Sequence, residues 1–362
     1  MVWFGRHLSG SAEIKRRAFS LPALVSVALA AAFLVFLVAR FDVDLDVTWN
    51  QVKGSNPWIL GAAFLVHYTT FIFRGARWRL LLQNVLNAQH TGPTGPGVLY
   101  CSQLVLLGWF ANAVGWLRLG DAYRAYLYRE EQGASFSRTI GTILAERVLD
   151  TLLVALLLVV AAPFLMKRDG GAAWTILGLA AALVIVLATV LAAMNWAREW
   201  AARSMPSWLA ESYSLFHQGA LGSFRRILPV TVWGLLGWMA EVGRLYLVVQ
   251  ALDLDLGFPL VIFLTLANSL LTLAPTPGGL GAVESGVAGL AVRLSTLTSS
   301  VAAAMVVVDR AITYVSIIMV GALLFLLRQA FRRRNREVDP SAEGRLGQAP
   351  LDQARGDVVD DQ

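Results

Sequence analysis

Pro275-Thr276-Pro277-Gly278-Gly279-Leu280-Gly281-Ala282-Val283-Glu284 is a helix-breaking stretch set among apolar runs, and its reading decides the fold. Prolines remove backbone donors and glycines release the backbone, so a tight re-entrant turn is the natural outcome. Leu117-Arg118-Leu119-Gly120-Asp121 is an imperfect copy of it in the first half of the chain. In each, a glycine-containing break and a carboxylate are followed 26 positions later by an arginine that is itself preceded by an acid. Asp121 is answered by Glu146-Arg147, and Glu284 by Asp309-Arg310. Broken helices and ionised side chains are costly in lipid and persist where they line a path for a polar passenger.

Composition sets the class. Hydrophobic residues make up 57% of the 362 and charged residues 15%, and the mean hydropathy is +0.60. Several apolar runs reach the roughly 20 residues needed to cross hydrocarbon. The expected fold is all-α, a polytopic helical bundle. The isoelectric point near 9.8 does not point to nucleic acid, because the basic residues form short clusters beside apolar runs, as the positive-inside pattern requires. Cys101 is the single cysteine, which rules out an intramolecular disulfide.

Full spans are expected at Leu21–Ala39, Pro57–Phe73, Thr142–Met166, Trp174–Met194, Ile227–Leu252 and Val301–Leu327. Lys15-Arg16-Arg17 precedes the first, which exceeds the roughly 7–15 residues of a signal-peptide core and reads as uncleaved. Residues 1–20 are then a cytoplasmic segment, and the polar stretch Glu337–Gln362 a disordered cytoplasmic tail.

Val98–Trp116 and Pro259–Arg293 are apolar but interrupted. If Val98–Trp116 crossed fully, Arg118, Arg124, Arg129, Arg138, Arg198, Arg203, Arg225 and Arg226 would all lie outside. If both segments enter and return on the same side, all eight are cytoplasmic, and Arg74, Arg77 and Arg79 fall there too, after the second span. With both termini cytoplasmic, residues 21–166 and 167–336 become two membrane repeats of opposite direction. Their site is expected where the broken segments meet near the midplane.

Within that plan the candidate headgroup-binding residues are Arg118, Asp121, Arg124, Glu146, Arg147, Asp150, Gly278, Gly279, Gly281, Glu284, Asp309, Arg310 and Tyr314. Glu146 and Asp150 are one turn apart and share a face. Arg147 and Arg310, one from each half, suit bidentate binding of a phosphate. The alternative is that each is a staple, paired with Asp121 or Glu284 to fix its broken helix, and the two roles are compatible. A helix starting near Ala282 would aim its positive end at the midplane, where Glu284 would compensate it. Glu241 and Arg244, three apart, read as a structural ion pair, and Asn112 and Asn268 as caps. The histidines, His67 included, show no metal-ligand spacing, and no cofactor is expected.

Arg74-Gly75-Ala76-Arg77-Trp78-Arg79-Leu80-Leu81, Asn112 with Arg118-Leu119-Gly120-Asp121-Ala122-Tyr123-Arg124, Glu146-Arg147-Val148-Leu149-Asp150, the 275–284 segment and Asp309-Arg310-Ala311-Ile312-Thr313-Tyr314 carry a resemblance. In that order they resemble the lysylphosphatidylglycerol synthase transmembrane, or flippase-like, family. The family has Leu-Pro before an Arg-x-Gly-Glu motif; here Gly115-Trp116-Leu117 precedes Arg118, and Asp121 replaces the Glu. The resemblance implies movement of polar-headgroup lipids between leaflets. In the multiple peptide resistance factor branch, a fused soluble domain makes the aminoacylated phosphatidylglycerol that is moved. With only a short polar tail read after Leu327, no such domain, and hence no synthesis, is expected here. Other branches are associated with polyprenyl-linked sugars or hopanoids.

Three functions follow. The first is a flippase or transporter for an anionic or polar-headgroup lipid, of phospholipid or polyprenyl-phosphate type. No nucleotide-binding motif appears, so a gradient or product removal would drive it. The second is a membrane glycosyltransferase whose carboxylates would come from Asp42-Val43-Asp44-Leu45-Asp46, a run that reads more simply as a solvated loop. The third is a scaffold for a separately encoded lipid-modifying enzyme. Expected partners are membrane lipids, with a homodimer left open.

Overall fold

The computed structural model describes residues 44–86, 95–115, 119–166, 170–274 and 276–338. The expected span Leu21–Ala39, the N-terminal segment, Arg118, Pro275 and the tail beyond Val338 lie outside these residues. Among the described residues every regular element is helical. They are α1 (Leu45–Lys53), α2 (Pro57–Leu86), α3 (Val98–Val114), α4 (Gly120–Gln132), α5 (Phe136–Met166), α6 (Gly170–Ser204) and α7 (Ser207–Gly222). A 3₁₀ turn at Ser223–Arg226 leads into α8 (Ile227–Ala251), followed by α9 (Phe258–Leu271) and a 3₁₀ turn at Pro277–Gly279. Next come α10 (Ala282–Leu294), α11 (Ser299–Arg310), a π turn at Ala311–Val315 and α12 (Ser316–Val338).

The stretches Pro57–Val85, Ser207–Ala251 and Ser299–Phe331 are long and apolar enough to cross a membrane. Outward-facing side chains such as Ile185, Leu228 and Met319 are more than half exposed, as contact with lipid favours. This is an all-α membrane helical protein.

Both interrupted segments fold back on themselves. In the first, the Tyr100 and Tyr128 rings lie 6.4 Å apart and Gly108 packs against the Gly120 carbonyl, so α3 and α4 form an antiparallel hairpin with its tip near Val114. At 17 residues α3 spans about 25 Å, too short to cross alone. In the second, Gly279 sits on the Thr272 backbone and Gly286 against Leu271, which makes α9 and α10 the matching hairpin.

The hairpins enter from opposite ends. Arg328, midway along α12, donates to Gln103 and Glu131 at the base of the first hairpin. The start of α11 holds the other end: Ser300 Oγ accepts from the Asp44 amide, and Thr48 Oγ1 donates to the Ser300 carbonyl. Gln51 donates to the Leu252 carbonyl there, six residues ahead of the second hairpin at Phe258. Halfway along, Tyr314 reaches the tip of the first hairpin and Arg310 the tip of the second. The packing is reciprocal: α3 lies on α12, α9 lies on α5, and α2 and α8 form the largest contact between the halves.

Three expectations need correcting. The span ending at Phe73 runs on to Leu86, because no proline interrupts it, and Arg74 and Arg77 lie buried on that helix and not in a connecting loop. Residues 207–222, read as part of a connection, form α7, which packs on α5 where Gly141 and Gly219 let the backbones approach closely. Asp44 is no free loop carboxylate; it caps α1, accepting from the Asp46 and Val47 amides. Arg225 and Arg226, exposed beside the Ser223 carbonyl that Asn84 holds, lie at the same end of the bundle as Arg328 and the first hairpin's base.

Candidate functional site

Each hairpin is stapled by its own carboxylate. Asp121, in the first turn of α4, accepts from Arg147 Nε at 3.0 Å and from Nη2 at 2.7 and 2.8 Å. Glu284, in the first turn of α10, accepts from Arg310 Nε at 2.7 Å and from the Gly281 amide at 2.6 Å. It therefore compensates the helix end and holds the arginine at once. Arg310 Nη2 donates to the Gly278 carbonyl at 2.9 Å. Gly278, Gly279 and Gly281 have φ of 58°, 70° and 94°, a region that side chains resist, and Gly278 lies against the Tyr314 ring. Tyr314 stacks under the Arg310 guanidinium at 4.8 Å and donates its hydroxyl to the Ala113 carbonyl at 3.0 Å, so it joins both tips. The π turn at Ala311–Val315 shifts the helix register between Arg310 and Tyr314.

Behind the staples lies a second pair of links, again doubled. Glu146 accepts from Arg77 at 2.7 Å and from Arg124 at 2.5 Å. In the other half Arg244 is paired with Asp309. In both, an arginine from the opening long helix (α2 or α8) binds the acid directly before the stapled arginine. Neighbouring residues on a helix point about 100° apart, which lets Glu146 and Asp309 serve one partner while Arg147 and Arg310 serve another. The halves differ in what is added. Asp150 accepts from Arg77, from Trp238 Nε1 at 3.2 Å and from Arg74 at 3.4 Å. Arg74 is held between the Trp109 and Trp238 rings, 5.1 and 5.6 Å from their centroids. Arg244 also donates to Glu241 at 3.3 Å, as the sequence spacing implied.

A cavity of about 450 Å³ opens between the hairpin tips. Among the expected residues Arg147, Asp150, Gly278, Arg310 and Tyr314 line it. Asp121, Glu284 and Asp309 instead hold Arg147, Arg310 and Arg244, which do, while Arg124, Glu146, Gly279 and Gly281 stand behind that lining. Arg74, Arg244 and Trp238 line it as well and were not among the candidates; the signal for them was an Arg-x-x-Arg pair on one face of an unbroken apolar helix, and the Glu241–Arg244 pair. Asn112 caps α4 by accepting the Gly120 amide at 2.8 Å, as expected. Asn268 departs from that role: its side-chain oxygen faces the cavity region with no partner.

Four guanidinium groups and two carboxylates thus face one chamber, two arginines from each half. Arg74 Nε and Arg244 Nη2 are buried with no hydrogen-bond partner. Such donors suit an anion with several oxygens. Among the described residues no three His, Cys, Asp or Glu side chains converge as a metal site.

The chain belongs to the family described as the lysylphosphatidylglycerol synthase transmembrane region, whose model matches residues 23–321. It is 28% identical to a UPF0104 membrane protein of Methanocaldococcus jannaschii over 221 residues, 60% of this chain and 94% of the relative. It is 25% identical to a UPF0104 membrane protein of Methanothermobacter thermautotrophicus over 330 residues, 82% of this chain and 90% of that one. A shorter stretch of 143 residues is 24% identical to the glycosyltransferase AglD of Haloferax volcanii, covering 40% of this chain and 21% of that protein.

Proposed function

We propose that this member of the family moves a lipid with an anionic or polar headgroup between leaflets, the headgroup passing through the chamber between the hairpins while the chains stay in lipid. The observation that carries this reading is the convergence of Arg74, Arg147, Arg244 and Arg310 on one cavity midway along the bundle. A charged chamber in a membrane bundle is costly to keep, and repeats entering from opposite ends suit access from either face. The protein acts as a transporter rather than an enzyme. It resides in the cell membrane with both termini cytoplasmic, since Arg225, Arg226 and Arg328 share one end. The transferase alternative loses support because Asp44 is committed to capping α1.

The test is reconstitution in liposomes with fluorescent lipids that dithionite bleaches from outside. The protein should render nearly all of the label bleachable, against about half in empty liposomes. Asp121→Asn with Arg147→Gln keeps hydrogen-bonding groups in the staple but removes its charges. Slower exchange in that pair and in Arg74→Gln supports the reading; unchanged exchange in both overturns it.

A further inference from the structure

The two charge networks around the cavity are unbalanced in opposite senses. In the second half one cation, Arg244, serves two carboxylates, Glu241 and Asp309, and all three are nine-tenths or more buried. In the first half three cations, Arg74, Arg77 and Arg124, serve two carboxylates, Glu146 and Asp150. Each staple is neutral in itself, and Arg147 and Arg310 are engaged by Asp121 and Glu284.

The surplus positive charge is Arg74. Its hold on Asp150 is the longest ion pair of that cluster at 3.4 Å, and its Nε has no partner. The surplus negative charge is Glu241, since Oε1 has no partner while Asp309 is paired with Arg244. Both groups line the same cavity. Other polar groups around Glu241 are His67 on α2, Arg244 on its own helix, and, lining the same cavity, Asn268 on α9, Arg147 and Asp150 on α5, and Arg310 and Tyr314 on the α11–α12 segment; Asp309 on α11 competes for Arg244.

We propose that Glu241 is a proton-binding site coupled to the anion site, so that the protein takes up an anionic headgroup together with a proton. An anion entering the chamber pairs with Arg74 and the free edge of Arg244. That takes from Glu241 the charges that keep its carboxylate ionised in a medium of low dielectric. The carboxyl group then takes a proton from water in the cavity, and the loaded chamber returns to its starting charge. By reciprocity, a proton on Glu241 tightens anion binding to the same extent. The lipid reading supplies the anion here, so the inference rests on it. A transmembrane proton gradient then becomes a source of drive that needs no nucleotide.

The test is binding of dioctanoyl phosphatidylglycerol to the purified protein in detergent, by calorimetry, between about pH 5.5 and 8.5, where the probe's phosphodiester keeps one charge. Linkage to a single proton predicts a Kd that tightens by up to about tenfold per unit fall in pH. Glu241→Gln should bind with the low-pH affinity throughout and show no pH dependence, while Glu241→Asp keeps a slope. His67→Phe removes the nearest imidazole and should leave the slope intact. Binding with no pH dependence in the natural protein overturns the coupling and spares the anion site. A slope that survives Glu241→Gln, or vanishes in His67→Phe, also overturns it. Absence of binding at every pH sinks both the coupling and the lipid reading. If Glu241→Gln does not fold, the slopes of the natural protein and of the Asp and Phe variants decide.

Discussion

Arg147 holds both carboxylate oxygens of Asp121, 26 residues earlier, and the same separation joins Arg310 to Glu284. The equivalence is geometric as well as sequential, because each pair pins the first turn of a hairpin's returning helix. The pairs differ in setting. The side chains of Arg147 and Asp121 are 38% and 33% exposed, against 11% and 12% for Arg310 and Glu284.

That difference predicts unequal costs. Removing one partner of a buried pair strands the other charge, at about 3–5 kcal/mol. Arg310→Ala should approach that loss, and Arg147→Ala should fall well below it, since solvent or headgroups reach its partner. Thermal unfolding in detergent checks the order; equal losses would contradict the assigned environments.

The tip of the second hairpin should refuse a side chain. Gly278→Ala places a methyl group at a positive φ and into the Tyr314 ring, which would also disturb the hydroxyl's bond to Ala113. The backbone strain alone is about 1–2 kcal/mol. Gly289→Ala, in the half-buried middle of α10 with open space around its Cβ position, should be neutral or gain up to about 1 kcal/mol. Melting temperatures and lipid exchange measured side by side will separate the two.

Labelling can read the hairpin directly. Gly97→Cys and Glu130→Cys stand at the two ends of the α3–α4 hairpin and are exposed, while Cys101 is buried. Both introduced cysteines should react with a membrane-impermeant maleimide from the same face. Reaction from opposite faces would mean that α3 crosses the bilayer and that the hairpin is wrong.

Trp238 ties the Arg74 clamp to the carboxylate behind it. Trp238→Phe keeps a ring near Arg74 but loses the 3.2 Å bond to Asp150, a charge-assisted bond with a net value of about 1.5–3 kcal/mol. Trp238→Leu loses the ring as well. Exchange in liposomes should fall in the order natural protein, Phe, Leu; equal rates for all three would remove Trp238 from the site.

Much of this was legible along the chain. Apolar runs located the long helices, because burial in lipid demands length and hydropathy that any window reveals, while α1 and α7 escaped. The 275–284 break announced a turn because prolines and glycines act through the local backbone. Even the staples were marked, since a carboxylate that opens a returning helix meets an arginine on the helix that follows it.

What escaped was partner choice. Arg74 and Arg77 sit at the point where a positively charged loop is the ordinary reading, and only their burial against α5 shows them to be part of the charge network. The Arg244–Asp309 pair joins residues 65 positions apart on different helices, and no spacing rule marks it. The sequence by itself determined the class of the protein, its long apolar helices among the described residues, its two breaks and the acid that holds each, because these follow from hydropathy, backbone freedom and short-range order. Tertiary structure alone decided which charges share one chamber and which are left over, because electrostatic pairing in a medium of low dielectric depends on distances between helices.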